Sequence, residues 1–98
     1  MKIVKREINK FSTLEDVKQL LGYRISYNYP FEYSDLNYGY LIGVKVDSES
    51  RLSYFVLSDN LDHRWNINPW YRKDHVFLDK LNGKNVKSAW EVNYINLL

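Results

Sequence analysis

The residue types able to do chemistry gather in one stretch, Asp59-Asn60-Leu61-Asp62-His63-Arg64-Trp65-Asn66-Ile67-Asn68-Pro69-Trp70-Tyr71-Arg72-Lys73-Asp74-His75. It holds both histidines, two of the three tryptophans and three of the 14 basic residues. Imidazoles beside carboxylates can in principle ligate zinc or exchange protons. His63 and His75 stand twelve positions apart, however, a spacing that matches no short metal motif. Both are therefore expected to be solvated loop residues, with no catalytic site, metal or cofactor assigned. A small nuclease, with the two histidines as acid and base beside Arg64 or Arg72, ranks third among the readings.

The first reading is recognition. Trp, Tyr and Arg anchor protein interfaces, and Arg64, Trp65, Trp70, Tyr71 and Arg72 supply that set here. Pro69 fixes one φ angle between the aromatics and lowers the ordering cost of binding through a loop. The chain is thus expected to be a non-enzymatic binding module that contacts another macromolecule, a protein first, through this aromatic loop. A binder of single-stranded nucleic acid is the alternative, with Tyr and Trp stacking on bases and Arg24, Arg64, Arg72 and Lys73 meeting phosphates. Against it, Arg64, Arg72 and Lys73 are matched by Asp59, Asp62 and Asp74, and phosphate neutralisation supplies most of the energy of such binding. A competing account gives Trp65, Ile67 and Trp70 to a satellite core. Tyr23, Tyr27 and Tyr38 would then be the next binding surface.

Other candidates resolve into structure. Glu15 and Asp16 suit a helix start, and Asp59 with Asp62 suits turns. Gly39 and Gly43 lie in an alternating strand pattern, which excludes a phosphate loop or a membrane-helix motif.

These residues must be positioned by a small framework. Ninety-eight residues fit one domain, 1–98, with 45% hydrophobic content to fill its core. There is no cysteine, which removes disulfides and thiolate zinc sites and favours a reducing, cytoplasmic setting. The first residues are too charged for a signal peptide, and no run approaches the roughly 20 apolar residues of a membrane helix. Net charge is +2, far from the concentrated basic patch of a duplex or membrane binder. Ten Asn and nine Tyr are consistent with codon bias or with a polar aromatic recognition surface.

Ser12-Thr13-Leu14-Glu15 has the form of a capping box. Leu14, Val17, Leu20 and Leu21 follow at helical spacing, and Gly22 occupies a left-handed C-cap position. A helix over 13–21 is expected. Residues 2–8 form a weak strand. Thereafter the period is two. Tyr23, Ile25, Tyr27 and Tyr29 share a face until Pro30 ends the ladder. Tyr38, Tyr40, Ile42, Val44 and Val46 share another, and Leu52, Tyr54 and Val56 return after the turn at 47–50. Val76–Leu81 leads into Asn82-Gly83, a strong hairpin signal, and 86–94 forms the last strand. Tyr40, Ile42, Val44, Val56, Trp90 and Val92 are expected to be largely buried. The fold class is mainly β: a small antiparallel curled sheet or open barrel of SH3-like or OB-like size, with five or six strands and one short N-terminal helix. An α+β sheet with the helix packed on one face is the alternative.

Overall fold

The computed structural model describes residues 8–9, 11–27, 36–66 and 75–98. The chain is mostly β, with one short helix and an antiparallel sheet of about six strands, as the alternation requires.

Helix α1 spans Leu14–Lys18. Its cap is Thr13, one residue later than Ser12: Asp16 N–H donates to Thr13 Oγ1 at 3.2 Å, and Thr13 N–H donates to Asp16 Oδ2 at 3.0 Å. Ser12 Oγ instead accepts from Asn9 N–H at 2.9 Å and closes the preceding turn. The helix is shorter than 13–21 because the chain tightens after Val17: Leu20 N–H reaches Val17 O, and Tyr23 N–H reaches Leu20 O, the i to i+3 pattern of a narrowing end. Gly22 takes the expected positive φ, +97°. Its N–H then donates to Leu41 O, tying the helix end to the sheet.

The strands are β1 (Arg24–Tyr27), β2 (Asn37–Val46), β3 (Leu52–Ser58), β4 (Trp65–Asn66), β5 (His75–Phe77), β6 (Lys80–Leu81), β7 (Lys84–Asn85), β8 (Ser88–Val92) and β9 (Asn96–Leu97). The main sheet runs β4-β8-β3-β2-β1-β9, with β5 also on β2. All pairs are antiparallel. Strand β2 organises the whole. Its far edge carries β3, while its near edge pairs with β1 over Asn37–Tyr40 and with β5 over Gly43–Lys45.

That double use depends on a β-bulge. Leu41 opposes Val56 and Gly43 opposes Phe55, so Ile42 is the extra residue. A bulge shifts the side-chain alternation by one position. The single face expected for Tyr38, Tyr40, Ile42, Val44 and Val46 is therefore corrected. Leu41 and Val44 enter the main core, whereas Tyr38 is 40% exposed and Tyr40 half-buried. Ile42 is buried outside that core cluster.

Val17 and Leu20 from the helix meet Ile25, Tyr27, Leu41, Val44, Tyr54, Val56 and Ile95 in one core. Ile42, Val44 and Val56 are fully buried as expected, while Trp90 and Val92 pack against the core half-buried. The Asn82-Gly83 turn carries φ values of 52° and 79° between β6 and β7, the two left-handed residues of a type I′ hairpin. The expected strand 76–81 is broken at Leu78, whose N–H donates to Ile42 O at the bulge, and the last strand is limited to β8. The short strand β9 was not anticipated. The expected strand over 2–8, apart from Ile8, and Tyr29 and Pro30 lie outside the described residues.

Candidate functional site

One end of the sheet brings together β1, the start of β2, the end of β3 and the turn that follows it. Asp59 N–H donates to Tyr38 O at 2.8 Å, which fastens that turn beside β2. The turn is a single 3₁₀ unit, Leu61–His63, whose N-cap Asn60 accepts from Asp62 N–H through its side chain at 3.0 Å.

On the outer face, Arg24 and Asp59 form a two-pronged pair, with Nη1 donating to Oδ1 at 2.8 Å and Nη2 to Oδ2. Arg24 sits opposite Tyr40 in the β1–β2 register. Its guanidinium carbon lies 4.9 Å from the Tyr40 ring centre and 5.9 Å from that of Tyr38, within cation–π range. The hydrogen bonds from Arg24 hold the Asp59 carboxyl below its ordinary value, with burial opposing. The same pair raises Arg24. Tyr38, beside the pair, is 40% exposed, and Leu36 before β2 and Leu61 in the turn are 46 and 74% exposed.

Beneath it lies a buried polar chain. Tyr27 and Ser58 are fully buried, and their hydroxyls share a hydrogen bond. The Tyr27 hydroxyl also pairs with His63 Nδ1 at 2.7 Å. Asn60 N–H donates to Ser58 Oγ at 3.0 Å, and Arg64 Nε donates to Ser58 O at 2.7 Å. The His63 ring lies on Trp90, with centroids 4.8 Å apart and planes at 15°.

These contacts correct the reading of the histidines. His63 is half-buried, held by Tyr27 and Trp90, because the turn folds back over the end of the sheet. His75 is half-buried in β5, beside Phe55 and Phe77. Neither is a solvated loop side chain. Of the expected anchors, Arg64 is exposed at the end of the turn. Trp65 has its backbone in β4, opposite Ala89. Trp70, Tyr71 and Arg72 lie outside the described residues, as do Ile67, Lys73 and Asp74. In the second surface, Tyr27 is buried and Tyr23 half-buried, so Tyr38 alone is open to a partner. Sequence reasoning missed the Tyr27–Ser58 pair. Its one signal was Ser58 itself, a hydroxyl in the apolar register of Leu52, Tyr54 and Val56, where burial demands a partner.

The opposite end carries a groove of about 700 Å³ lined by Asp47, Arg51, Tyr54, Asn93 and Tyr94, among others. Asp47 is spent on its own turn, accepting from the N–H groups of Glu49 and Arg51 at 2.8 and 2.9 Å. Among the described residues no group of three or more His, Asp or Glu is placed to hold a metal ion, and no helix is long and apolar enough to cross a membrane. No family model, curated protein or solved structure matches the chain.

Proposed function

We propose that this domain is a non-enzymatic binding module that holds a protein partner on the sheet end carrying Leu36, Tyr38 and Leu61. The aromatic segment 61–75 contributes Arg64, Trp65, Trp70, Tyr71 and Arg72 as further anchors. The carrying observation is the exposure of Leu36, Tyr38 and Leu61, which precede β2, lie at its start and stand in the turn after β3. Desolvating apolar and aromatic groups supplies interface energy, and truncating a central anchor often costs about 2 kcal/mol or more. A paired Arg–Asp at the rim adds register at little expense in buried charge. A cytoplasmic setting goes with this reading, since the chain carries no cysteine.

Single-stranded nucleic acid is the second reading, favoured by the open Tyr38 ring beside Arg24. It is weaker because Asp59 already neutralises that arginine. The two separate in one experiment: capture from native lysate on the immobilised domain, with and without nuclease, using wild type, Tyr38→Ala and Trp70→Ala. The protein reading expects a partner that survives nuclease and is lost from Tyr38→Ala, whose melting temperature moves by only a few degrees. A partner removed by nuclease transfers the surface to the nucleic-acid reading. Capture undiminished by either substitution removes this end of the sheet from the interface.

A further inference from the structure

We propose that Asn82 is a site of spontaneous deamidation, reached when the β6–β7 hairpin opens, and that the isoaspartate product leaves that hairpin open. The reaction needs no partner. It requires the backbone nitrogen of the next residue to attack the asparagine carboxamide, and a side chain on that next residue obstructs the approach. Of the ten asparagines only Asn82 is followed by glycine; the others precede Lys, Tyr, Leu, Ile, Pro or Val. Glycine carries no Cβ, and one built on Gly83 would meet no atom within 4 Å. Asn82 and Gly83 are both exposed, so the attacking nitrogen, the carboxamide and water share an open surface. Asparagine is among the thermolabile residues for this reason.

Hydroxide removes the Gly83 N–H proton, and the nitrogen bonds to Asn82 Cγ. The Cγ–Nδ2 bond breaks, and Nδ2 takes a proton from water and leaves as ammonia. The product is a five-membered succinimide. Water then adds to either ring carbonyl. Breaking the bond from Gly83 N to Cγ gives aspartate at position 82. Breaking the bond from Gly83 N to the main-chain carbonyl carbon gives isoaspartate, in which the chain runs through Cβ and Cγ. In sum an amide and water become a carboxylate and ammonium, with no oxidation or reduction. Each event lowers the formal net charge of +2 by one.

The fold sets both the rate and the consequence. Ring closure rotates the main chain at Asn82 out of the turn that its φ of 52° and the 79° of Gly83 define. The closed hairpin therefore protects, and the open one reacts. It is lightly secured: β6 and β7 form a sheet of their own with two residue pairs, Lys80–Asn85 and Leu81–Lys84, closed at the base by Val86 N–H to Asp79 O. A two-stranded hairpin on its own is marginal in water, and such elements open at low cost. The products then differ. Asp-Gly suits the same turn as Asn-Gly, so aspartate keeps the hairpin. Isoaspartate adds a methylene to the main chain, and a two-residue turn no longer closes over it. Leu78 and Leu81, whose Cδ1 atoms lie 3.6 and 4.0 Å from the Cβ position of Gly22, are the contacts placed at risk.

The test is peptide mapping by mass spectrometry on the full chain held in mildly alkaline buffer, native and urea-denatured. Isoaspartate is separated by chromatography from aspartate, with Asn82→Asp as the standard. Residue 82 should be modified before any other asparagine, with a gain of one mass unit and a matching acidic species. The native protein should react about tenfold more slowly than the denatured chain, the factor equivalent to an opening cost of about 1.4 kcal/mol. By hydrogen exchange, Asn82→Asp should keep the Lys84 amide protected opposite Leu81, and the purified isoaspartate form should lose that protection. A native chain left intact at 82 while the denatured chain reacts would overturn the proposal. So would earlier reaction at another asparagine, equal rates in the two states, or an isoaspartate form with Lys84 still protected.

Discussion

Replacing Tyr27 by Phe isolates what the buried hydrogen-bond relay of Ser58, Tyr27 and His63 contributes to stability. The ring is retained, so the fully buried site keeps its packing and no cavity term enters. What disappears is the hydroxyl that, among the described residues, bonds Ser58 Oγ and His63 Nδ1. Ser58 is fully buried, and depriving its hydroxyl of that partner should cost about 1–3 kcal/mol. His63 is only half-buried, so its loss is bounded by an ordinary net hydrogen bond, about 0.5–1.5 kcal/mol. The sum is about 1.5–4.5 kcal/mol, which in a domain of this size lowers the melting temperature by roughly 6–36 °C. Urea denaturation should show a lower midpoint with an unchanged slope. The decisive comparison is a double-mutant cycle with Ser58→Ala. If the hydroxyls act as one chain, the double variant loses less than the sum of the singles, with a coupling of about 1 kcal/mol. Additive losses, or a Tyr27→Phe loss below about 0.5 kcal/mol, would refute the relay as a cooperative unit.

The remaining expectations concern the frame and the outer face. A Cβ on Gly39 would lie 2.5 Å from Leu57 O and 3.0 Å from Ser58 Cα, both backbone, so Gly39→Ala must part β2 from β3 and should cost about 3 kcal/mol or more in chemical denaturation. At Gly43 the Cβ meets the Phe77 ring at 2.8 Å and Val76 O at 2.9 Å; a ring can partly give way, so Gly43→Ala should cost less than Gly39→Ala, and the reverse order would contradict the packing. Ile42→Asp should cost several kcal/mol by leaving a buried, unpaired charge, and a melting temperature within a few degrees of wild type would contradict its burial. The Asp59 carboxyl is lowered from 3.8 in the folded state, so its contribution is complete above the unfolded value and is lost as pH falls through the folded one. Both side chains of the pair are more than a third exposed, so Asp59→Asn should cost at most about 1 kcal/mol at pH 7. That difference should vanish in acid, below the folded value, and a difference that persisted there would assign it to something other than the ion pair.

What was legible in the sequence is what neighbouring residues decide among themselves. Asn82-Gly83 needs no distant contact to adopt its two positive φ values, and the turn stands where the dipeptide placed it. The alternation of Ile25 with Tyr27, and of Tyr54 with Val56, likewise reports one buried face directly. The capping box slipped by one because Ser12 and Thr13 both carry a hydroxyl, and Glu15 and Asp16 both a carboxylate three residues on. Among the described residues, the competing bond from Asn9 N–H to Ser12 Oγ breaks that degeneracy.

The bulge and the relay were hidden for a different reason. Leu41 and Ile42 are adjacent and apolar, so β2 satisfies either face assignment and the pattern runs on through the change of phase. His63 was misplaced because its neighbours in the chain are polar, while its partners are Tyr27, 36 residues away, and Trp90 on another strand. No local pattern encodes that meeting. It follows instead from register: Tyr27 opposite Asn37, Gly39 opposite Ser58, and Val56 opposite Trp90 bring three strands to one end. Gly39 at the crossing leaves room for the close approach of Leu57 and Ser58. A polar residue in an apolar register, as Ser58 is, therefore marks where distant strands must deliver a partner, even when the sequence does not name it.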